Sequence, residues 1–316
     1  MSSAERLVSI VIPCYNQGRF LAEAIESARS QTYPSPEIIV VDDGSTDETA
    51  AVARRYPDAT YLAQRKLGAA AARNAGLRAS RGEHIIFLDA DDRLLVDAVT
   101  IGLDYLSRHP ALAFVTGHIR AIAEDGSVEG VPPQDHAEAT GYIELLRENY
   151  IWTPGVAMYR REALNVVGPF DPSAAGSADF ELNLRLARRF AYACHHRVIL
   201  DYRRHRGSMT ADAVQMLRSA VAVRRNQRRH IRGNQTAIEA CRRGISAVRA
   251  DFGTRAVNQV KGDLVRGRVL AVVRGLLCLA RYYPAGLRQI LSAVLRRTRT
   301  ASPRLAATRE RVARRG

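Results

Sequence analysis

HIIFLDADD, residues 84–92, starts as chain that belongs in a protein interior and ends in three carboxylates. Ile85, Ile86, Phe87 and Leu88 form a short apolar run that suits a buried strand. Asp89, Asp91 and Asp92 follow within four positions. Like charges this close raise one another's pKa and oppose ionisation. Something has to offset that repulsion.

The same layout occurs upstream. LVSIVIP (7–13) and EIIVV (37–41) read as strands and TYLAQ (60–64) as a weaker one. FLAEAIESARSQ (20–31), a segment starting near Thr46, GAAAARNAGLRAS (68–80) and LLVDAVTIGLDYLSRH (94–109) read as helices. Strand and helix in alternation predict a parallel sheet with helices on its faces. Ligands of such sheets bind beyond the carboxyl ends of the strands. Three strands end there in polar clusters: Pro13-Cys14-Tyr15-Asn16, Asp42-Asp43-Gly44-Ser45 and Asp89-Ala90-Asp91-Asp92. Their convergence would make one acidic site suited to a hard divalent cation, Mg²⁺ or Mn²⁺, which would also neutralise a phosphate-bearing ligand.

After ALAFVTG (111–117) the rhythm changes. HIRAIAEDGSVEGV (118–131) reads as two short strands around an Asp125-Gly126 turn. PPQDHAEATG is a loop, YIELLRENY a short helix, and beyond about residue 210 the chain reads as helical, with a break at Pro284.

The 316 residues carry a net charge of +15 that is unevenly divided. Residues 1–202 hold 20 Lys+Arg against 27 Asp+Glu, a net of −7, and residues 203–316 hold 27 against 5, a net of +22. The longest stretch free of charged residues is the twelve from Leu7 to Gly18, too short to span a bilayer. The first residues lack the pattern of a signal peptide. Cys14, Cys194, Cys241 and Cys278 show no CxxC or Cys/His metal spacing, which predicts reduced, packed thiols in a cytoplasmic protein.

VSIVIPCYNQGRFLAEAIESARSQ, EIIVVDDGSTDET, GAAAARNAGL, HIIFLDADD, GPFDPSAAGSADFELNLRLARR and YRRHRGS occur in that order over residues 6–210. Together they resemble the family-two inverting nucleotide-sugar glycosyltransferases of the GT-A fold. The resemblance implies an α/β fold with a Rossmann-like nucleotide-binding half (1–115) and an acceptor half (116–210) on a mixed central sheet. A helical, Arg-rich region (211–316) would follow. By resemblance, Asp89-Ala90-Asp91 is the D-x-D element, with Asp91 on the metal and Asp89 and Ala90 near the donor. Asp92 is either a metal contact or a helix-start residue. Asp42 and Asp43 match the pair that meets the nucleotide. Pro13, Tyr15 and Asn16 match the first nucleotide-binding segment, and Tyr15 is otherwise a strand-end aromatic. Arg73 reaches either the nucleotide or a helix-surface ion pair. Ser45 and Glu48 have capping-box spacing, and Gly44 suits a tight turn.

Asp179 matches the family's catalytic base and also suits a helix N-terminus. Ala178 stands where the family commonly has another acid, which puts an acceptor contact from that position in doubt. His205 matches a histidine that returns to the metal or is a surface residue, and Trp152 stacks on an acceptor or packs. His195 and His196 read as structural. The implied partners are a nucleotide-sugar donor, a UDP-sugar first, and a glycan, lipid-linked or small-molecule acceptor.

Residues 264–299 mix aliphatics with arginines, as an interfacial helix pair on an anionic membrane would. The protein would then sit at the inner membrane face, and a packed helical subdomain is the other reading. A non-enzymatic membrane- or nucleic-acid-binding protein is the rival function. Nucleic acid is disfavoured, because no zinc or RNA-binding signature accompanies the arginines.

Overall fold

A computed structural model describes residues 7–134, 141–205 and 207–292. The apolar runs become β1 (Val8–Cys14), β2 (Glu37–Asp42), β3 (Thr60–Ala63) and β4 (His84–Phe87), all parallel, in the order β3-β2-β1-β4. Every residue of β1 and β4 is buried, as expected of strands covered on both faces. Helices α1 (Gly18–Arg29), α2 (Thr49–Ala53), α3 (Ala69–Ala79) and α4 (Ala98–Arg108) follow the strands.

Two local expectations change. Leu94, the expected first residue of a helix, instead ends β5 (Arg93–Leu94), which pairs with the strand carrying Asp201, Arg93 meeting that carboxylate at 3.0 Å. The Ser45/Glu48 capping box does not form either. Asp47 takes that place, accepting from Thr49 N at 3.1 Å, while Ser45 Oγ accepts from Asn16 N. Gly44 does occupy a left-handed turn, at φ 77°.

The second half of the sheet is mixed. It holds β6 (Leu112–Ile122), β7 (Val128–Gly130), β8 (Ala157–Arg160) and β9 (Ala191–Arg203). The full order is β3-β2-β1-β4-β8-β6-β9-β5, with β7 paired to β6 around the expected Asp125-Gly126 turn. β8 runs antiparallel to β4 and β6, and β9 runs parallel to β6. β5 lies at the far edge, beyond β9, yet only the Asp cluster separates it from β4 in mid-sheet. The sheet therefore curls, and the end of β9 comes back to the end of β4. Helices α5 (Tyr142–Arg147), α6 (Arg161–Val167) and α7 (Ala178–Ala187) complete this half.

The chain divides into two compact units. The first runs up to Ser208 and takes in Val223–Gly244; the second holds Met209–Ala222 and the chain from Ile245 on. The sequence boundary at 210 assigned 223–244 to the C-terminal region. In the first unit, Arg224 donates to the Leu146 carbonyl at 3.0 Å and Tyr142 to Gln227 at 3.0 Å, which ties 223–244 to α5.

The C-terminal helices are α8 (Ala213–Asn226), α9 (Gln235–Val265) and α10 (Val269–Tyr282), and the chain is helical again from 284 to 292. The break falls at Tyr283, where the following Pro284 cannot continue the hydrogen-bond ladder of α10. Within the second unit, Asp212 accepts from Gln259 at 3.1 Å and pairs with Arg274. Leu264, Val265, Val269, Leu270, Val273 and Leu277 are exposed. No helix among the described residues is long and apolar enough to cross a membrane. Residues 293–299 of the basic segment lie outside the described residues.

Candidate active site

The three carboxylates after β4 are accommodated in three ways. Asp89 pairs with Arg73 of α3 at 2.5 Å and accepts from Thr153 at 3.3 Å. Asp91 meets His205 Nε2 at 2.8 Å. Asp92 is buried, accepting from Arg203 N at 2.9 Å and from Thr153 at 3.4 Å. Burial, then the charges of Asp91 and Asp89, hold the Asp92 carboxyl well above its ordinary value. Asp92 is thus no helix start, since α4 begins at Ala98.

His205 is set for its position. Its Nδ1 accepts from Gly207 N at 3.1 Å, so in the neutral ring Nε2 carries the proton and faces Asp91. The ring lies 5.0 Å from that of Phe20. An octahedral hard cation with ligands at about 2.1 Å holds neighbouring ligand atoms about 3 Å apart. The Asp91 Oδ2 and His205 Nε2 pair fits that edge; an ion there would take the Nε2 lone pair, with the ring proton moved to Nδ1 and the bond from Gly207 N given up.

Arg203, which the sequence reading passed over as one more basic residue, braces the cluster. It is 1% exposed. Its Nε donates to the Asp91 carbonyl at 2.8 Å, one terminal nitrogen to Glu23 at 2.6 Å and the other to the Glu124 carbonyl at 2.9 Å. Thr153 was missed too.

The nucleotide-matching residues lie at the ends of β1 and β2. Pro13 stands opposite Val41 of β2, past the point where β4 stops pairing with β1, so its missing N–H costs no ladder bond there. Tyr15 is exposed, with Lys66 Nζ 3.7 Å from its ring centroid. Lys66 sets a positive charge beside that ring and was not singled out by the sequence. Asn16, at φ 52°, accepts from Thr46 N at 2.8 Å and fixes the loop.

Asp42 and Asp43 are both buried and both engaged. Asp42 accepts from Ser45 N at 2.8 Å and from Tyr61 at 2.7 Å. Asp43 accepts from Leu67 N at 2.8 Å, Gly68 N at 2.7 Å and Gln64 at 2.6 Å. The pair shapes the loops after β2 and β3, and only its remaining lone pairs could accept from a ligand.

Asp179 is the second residue of α7 and is half-buried. Its position is coupled to α3, because Asn74 exchanges two hydrogen bonds with Phe170, at 2.9 and 2.8 Å, ahead of α7. Burial pushes the Asp179 carboxyl up from its ordinary value, the Arg73 guanidinium pulls it back, and Asp89 pushes it up again. Asp179 therefore shares an electrostatic neighbourhood with the carboxylates after β4. Arg73 is buried, not a helix-surface partner, and its Nε has no partner among the described residues. Trp152 is 39% exposed and stands edge-on to Tyr202 at 6.4 Å. Ala90 and Ala178 are buried and offer only backbone.

Arg73 supplies a pH test. Were Asp179 to act as a base it would have to be ionised, so its raised carboxyl would set the acid limb of a rate profile above the ordinary value of the group. Arg73→Met should move that limb to higher pH, since the pull on Asp179 is gone. An unchanged limb in kcat/KM against pH would mean that another group sets it.

A sequence profile described as Glycosyl transferase family 2 matches residues 9–168. Chondroitin synthase of Escherichia coli is 29% identical over 207 residues, covering 61% of this chain and 29% of that protein. The chain thus spans under a third of that relative's length. An uncharacterized glycosyltransferase of Rickettsia prowazekii is 30% identical over 216 residues, 67% of this chain and 68% of that protein. Among solved structures, S. aureus TarS 1-349 in complex with UDP-GlcNAc aligns with a TM-score of 0.62 at 17% identity over 92% of each chain. Mannosyltransferase PcManGT from Pyrobaculum calidifontis, in complex with GDP-Man and Mn²⁺, aligns with a TM-score of 0.56 at 19% identity over 86% of this chain and 85% of that one. Both structural likenesses concern the fold.

Proposed function

The chain belongs to glycosyl transferase family 2, a family of enzymes with the GT-A architecture, and from that premise we propose the reaction it performs. It moves a sugar from a nucleotide diphosphate, a UDP-sugar first, to an acceptor hydroxyl with inversion, in polysaccharide, glycolipid or related glycan synthesis. The observation that carries this reading is one side-chain group. Arg73 binds Asp89 while acting on Asp179, and Asp91 two residues on meets His205.

Asp91 and His205 would hold Mn²⁺ or Mg²⁺, and the bound ion would neutralise charge on the departing diphosphate. The acceptor oxygen attacks the anomeric carbon from the face opposite the diphosphate, the bond to the diphosphate breaks, and Asp179 takes the acceptor proton. Arg73 keeps Asp89 placed and opposes the rise that burial gives the Asp179 carboxyl. Asp42, Asp43, Pro13, Asn16 and Tyr15 form the nucleotide wall, and Trp152 stands on the acceptor side. Support for a nucleotide-sugar donor and a divalent ion comes from the neighbours solved with UDP-GlcNAc and with GDP-Man and Mn²⁺. A panel of nucleotide-sugars with Mn²⁺, read as release of free nucleotide diphosphate, is the test. Release from no donor under any metal would end this reading.

The acceptor side of the proposal includes the membrane. Leu270 at 88% and Leu277 at 67% exposure stand on α10 among Arg266, Arg268, Arg274 and Arg281, a composition that suits an anionic lipid surface at the inner membrane face. Leu270→Ser with Leu277→Ser should lose most binding to vesicles rich in anionic lipid, and salt should weaken wild-type binding. Wild type that ignores such vesicles at low salt removes the membrane from the account.

A further inference from the structure

Strand β9 does not run evenly past β6. Thr116 of β6 stands opposite Cys194, but His118, two residues on, stands opposite Val198, four residues on. Residues 195–197 of β9 therefore face a single residue, Gly117, and β9 bulges to fit them. His196 adopts φ 56°, a left-handed conformation uncommon outside glycine. Gly117 is what lets the strands stay close. A Cβ there would come within 2.5 Å of His195 Cε1 and 2.8 Å of the Arg197 carbonyl oxygen.

Bulges re-aim side chains, and this one gathers three that can ligate a metal, two imidazoles and a thiol. One ligand atom each of His118, Cys194 and His196 lies within 4.8 Å of the other two. The two imidazole rings meet edge-on at 5.5 Å. Cys194 is buried, His118 half-buried and His196 exposed, so the group runs from a thiol at its floor to an imidazole at its mouth. His195 is not part of it. Its Nδ1 accepts from Arg197 N at 3.1 Å and its ring lies 6.1 Å from that of Tyr105. None of the three gathered residues has a part in sugar transfer. No spacing in the sequence announces them, because a strand pairing across 76 positions brings His118 to Cys194.

We propose that His118, Cys194 and His196 form a binding site for a borderline-soft divalent transition metal of the zinc class, with a fourth position open to solvent at His196. Tetrahedral zinc takes sulfur at about 2.3 Å and nitrogen at about 2.0–2.1 Å, which sets ligand atoms roughly 3.5 Å apart. Side-chain rotation closing the group by about 1 Å reaches that geometry from the observed spread. Cys194 binds as thiolate, and its proton leaves to solvent. Thiolate and imidazole select such an ion over Mn²⁺ or Mg²⁺, which prefer the oxygen-rich surroundings of Asp91. The ion would pin β6 to β9 across the register shift.

Cobalt(II) titrated into the metal-stripped full chain is the test. Tetrahedral visible bands together with a thiolate-to-cobalt charge-transfer band are expected, and Zn²⁺ should displace both. Cys194→Ser should abolish the charge-transfer band, while Cys241→Ser and Asp91→Asn should keep it. His118→Ala and His196→Ala, each checked for folding by circular dichroism, should weaken Zn²⁺ binding by at least about tenfold, the lower end of what losing even an indirect metal partner costs. A wild-type chain without the charge-transfer band overturns the proposal. So does a band that survives Cys194→Ser or vanishes in Asp91→Asn, or Zn²⁺ affinity that both histidine variants leave intact.

Discussion

Asp179→Asn should lose about 10² to 10⁴ in transfer rate while binding the donor nearly as well as the wild type, the range expected when a general base is removed. Asn keeps the size of the side chain and its place in the first turn of α7, but cannot take a proton. The variant separates two roles that coincide at this residue. A carboxylate in a first helical turn also interacts with the helix dipole, worth roughly 0.3–1 kcal/mol. A loss of that kind lowers melting temperature slightly and leaves kcat alone. The predicted result is the reverse, with kcat collapsed and thermal stability kept or raised, because burial opposes the charged form of Asp179 in the folded chain. Transfer at near wild-type rate would reduce Asp179 to a helix-start residue.

Asp91→Asn should remove most of the metal-dependent part of nucleotide-diphosphate binding. Partners that only orient a metal ligand cost about 10 to 100-fold when lost, so a direct ligand should cost no less. The comparison is made by calorimetry with Mn²⁺ and again with chelator. Wild type should bind much more weakly under chelator, and the variant should bind weakly under both. His205→Ala should act in the same direction, since its Nε2 is 2.8 Å from the same carboxylate oxygen. If Asp91→Asn bound nucleotide as tightly as wild type in Mn²⁺, the ion would have to be held elsewhere.

The parallel half of the fold was legible because three of its four strands are continuous apolar runs that end in polar clusters. β9 was not. It reads Cys-His-His-Arg in mid-strand, and its bulge breaks the two-residue alternation that marks a strand. Overlooking β9 hid Arg203 as well. Arg203 and His205 are two apart, so strand alternation would have turned both toward the acids after β4. The Asp91–His205 approach was accessible from resemblance. The engagement of Asp43 with the chain's own amides was not, because it depends on where the 64–68 loop runs. Thr153 gave no signal, since a buried threonine hydroxyl is visible only once the carboxylates beside it are placed.

Arg203 and His205 also fix when the acidic cluster can be completed during synthesis. Arg203 N reaches Asp92 across 111 residues, and His205 reaches Asp91 across 114. Contacts so remote bear the loop-closure cost before they return any stabilisation, and they form late. A chain growing from its N-terminus therefore pairs β1 with β2 and β4 while Asp91 and Asp92 at the end of β4 still lack these counterparts. Ribosome-bound chains halted short of residue 205 would carry a nearly finished nucleotide wall and a self-repelling acidic end. On the proposed metal site, Asp91 gains His205 only once β9 is complete, so metal-dependent donor binding is expected only of chains that extend past residue 205.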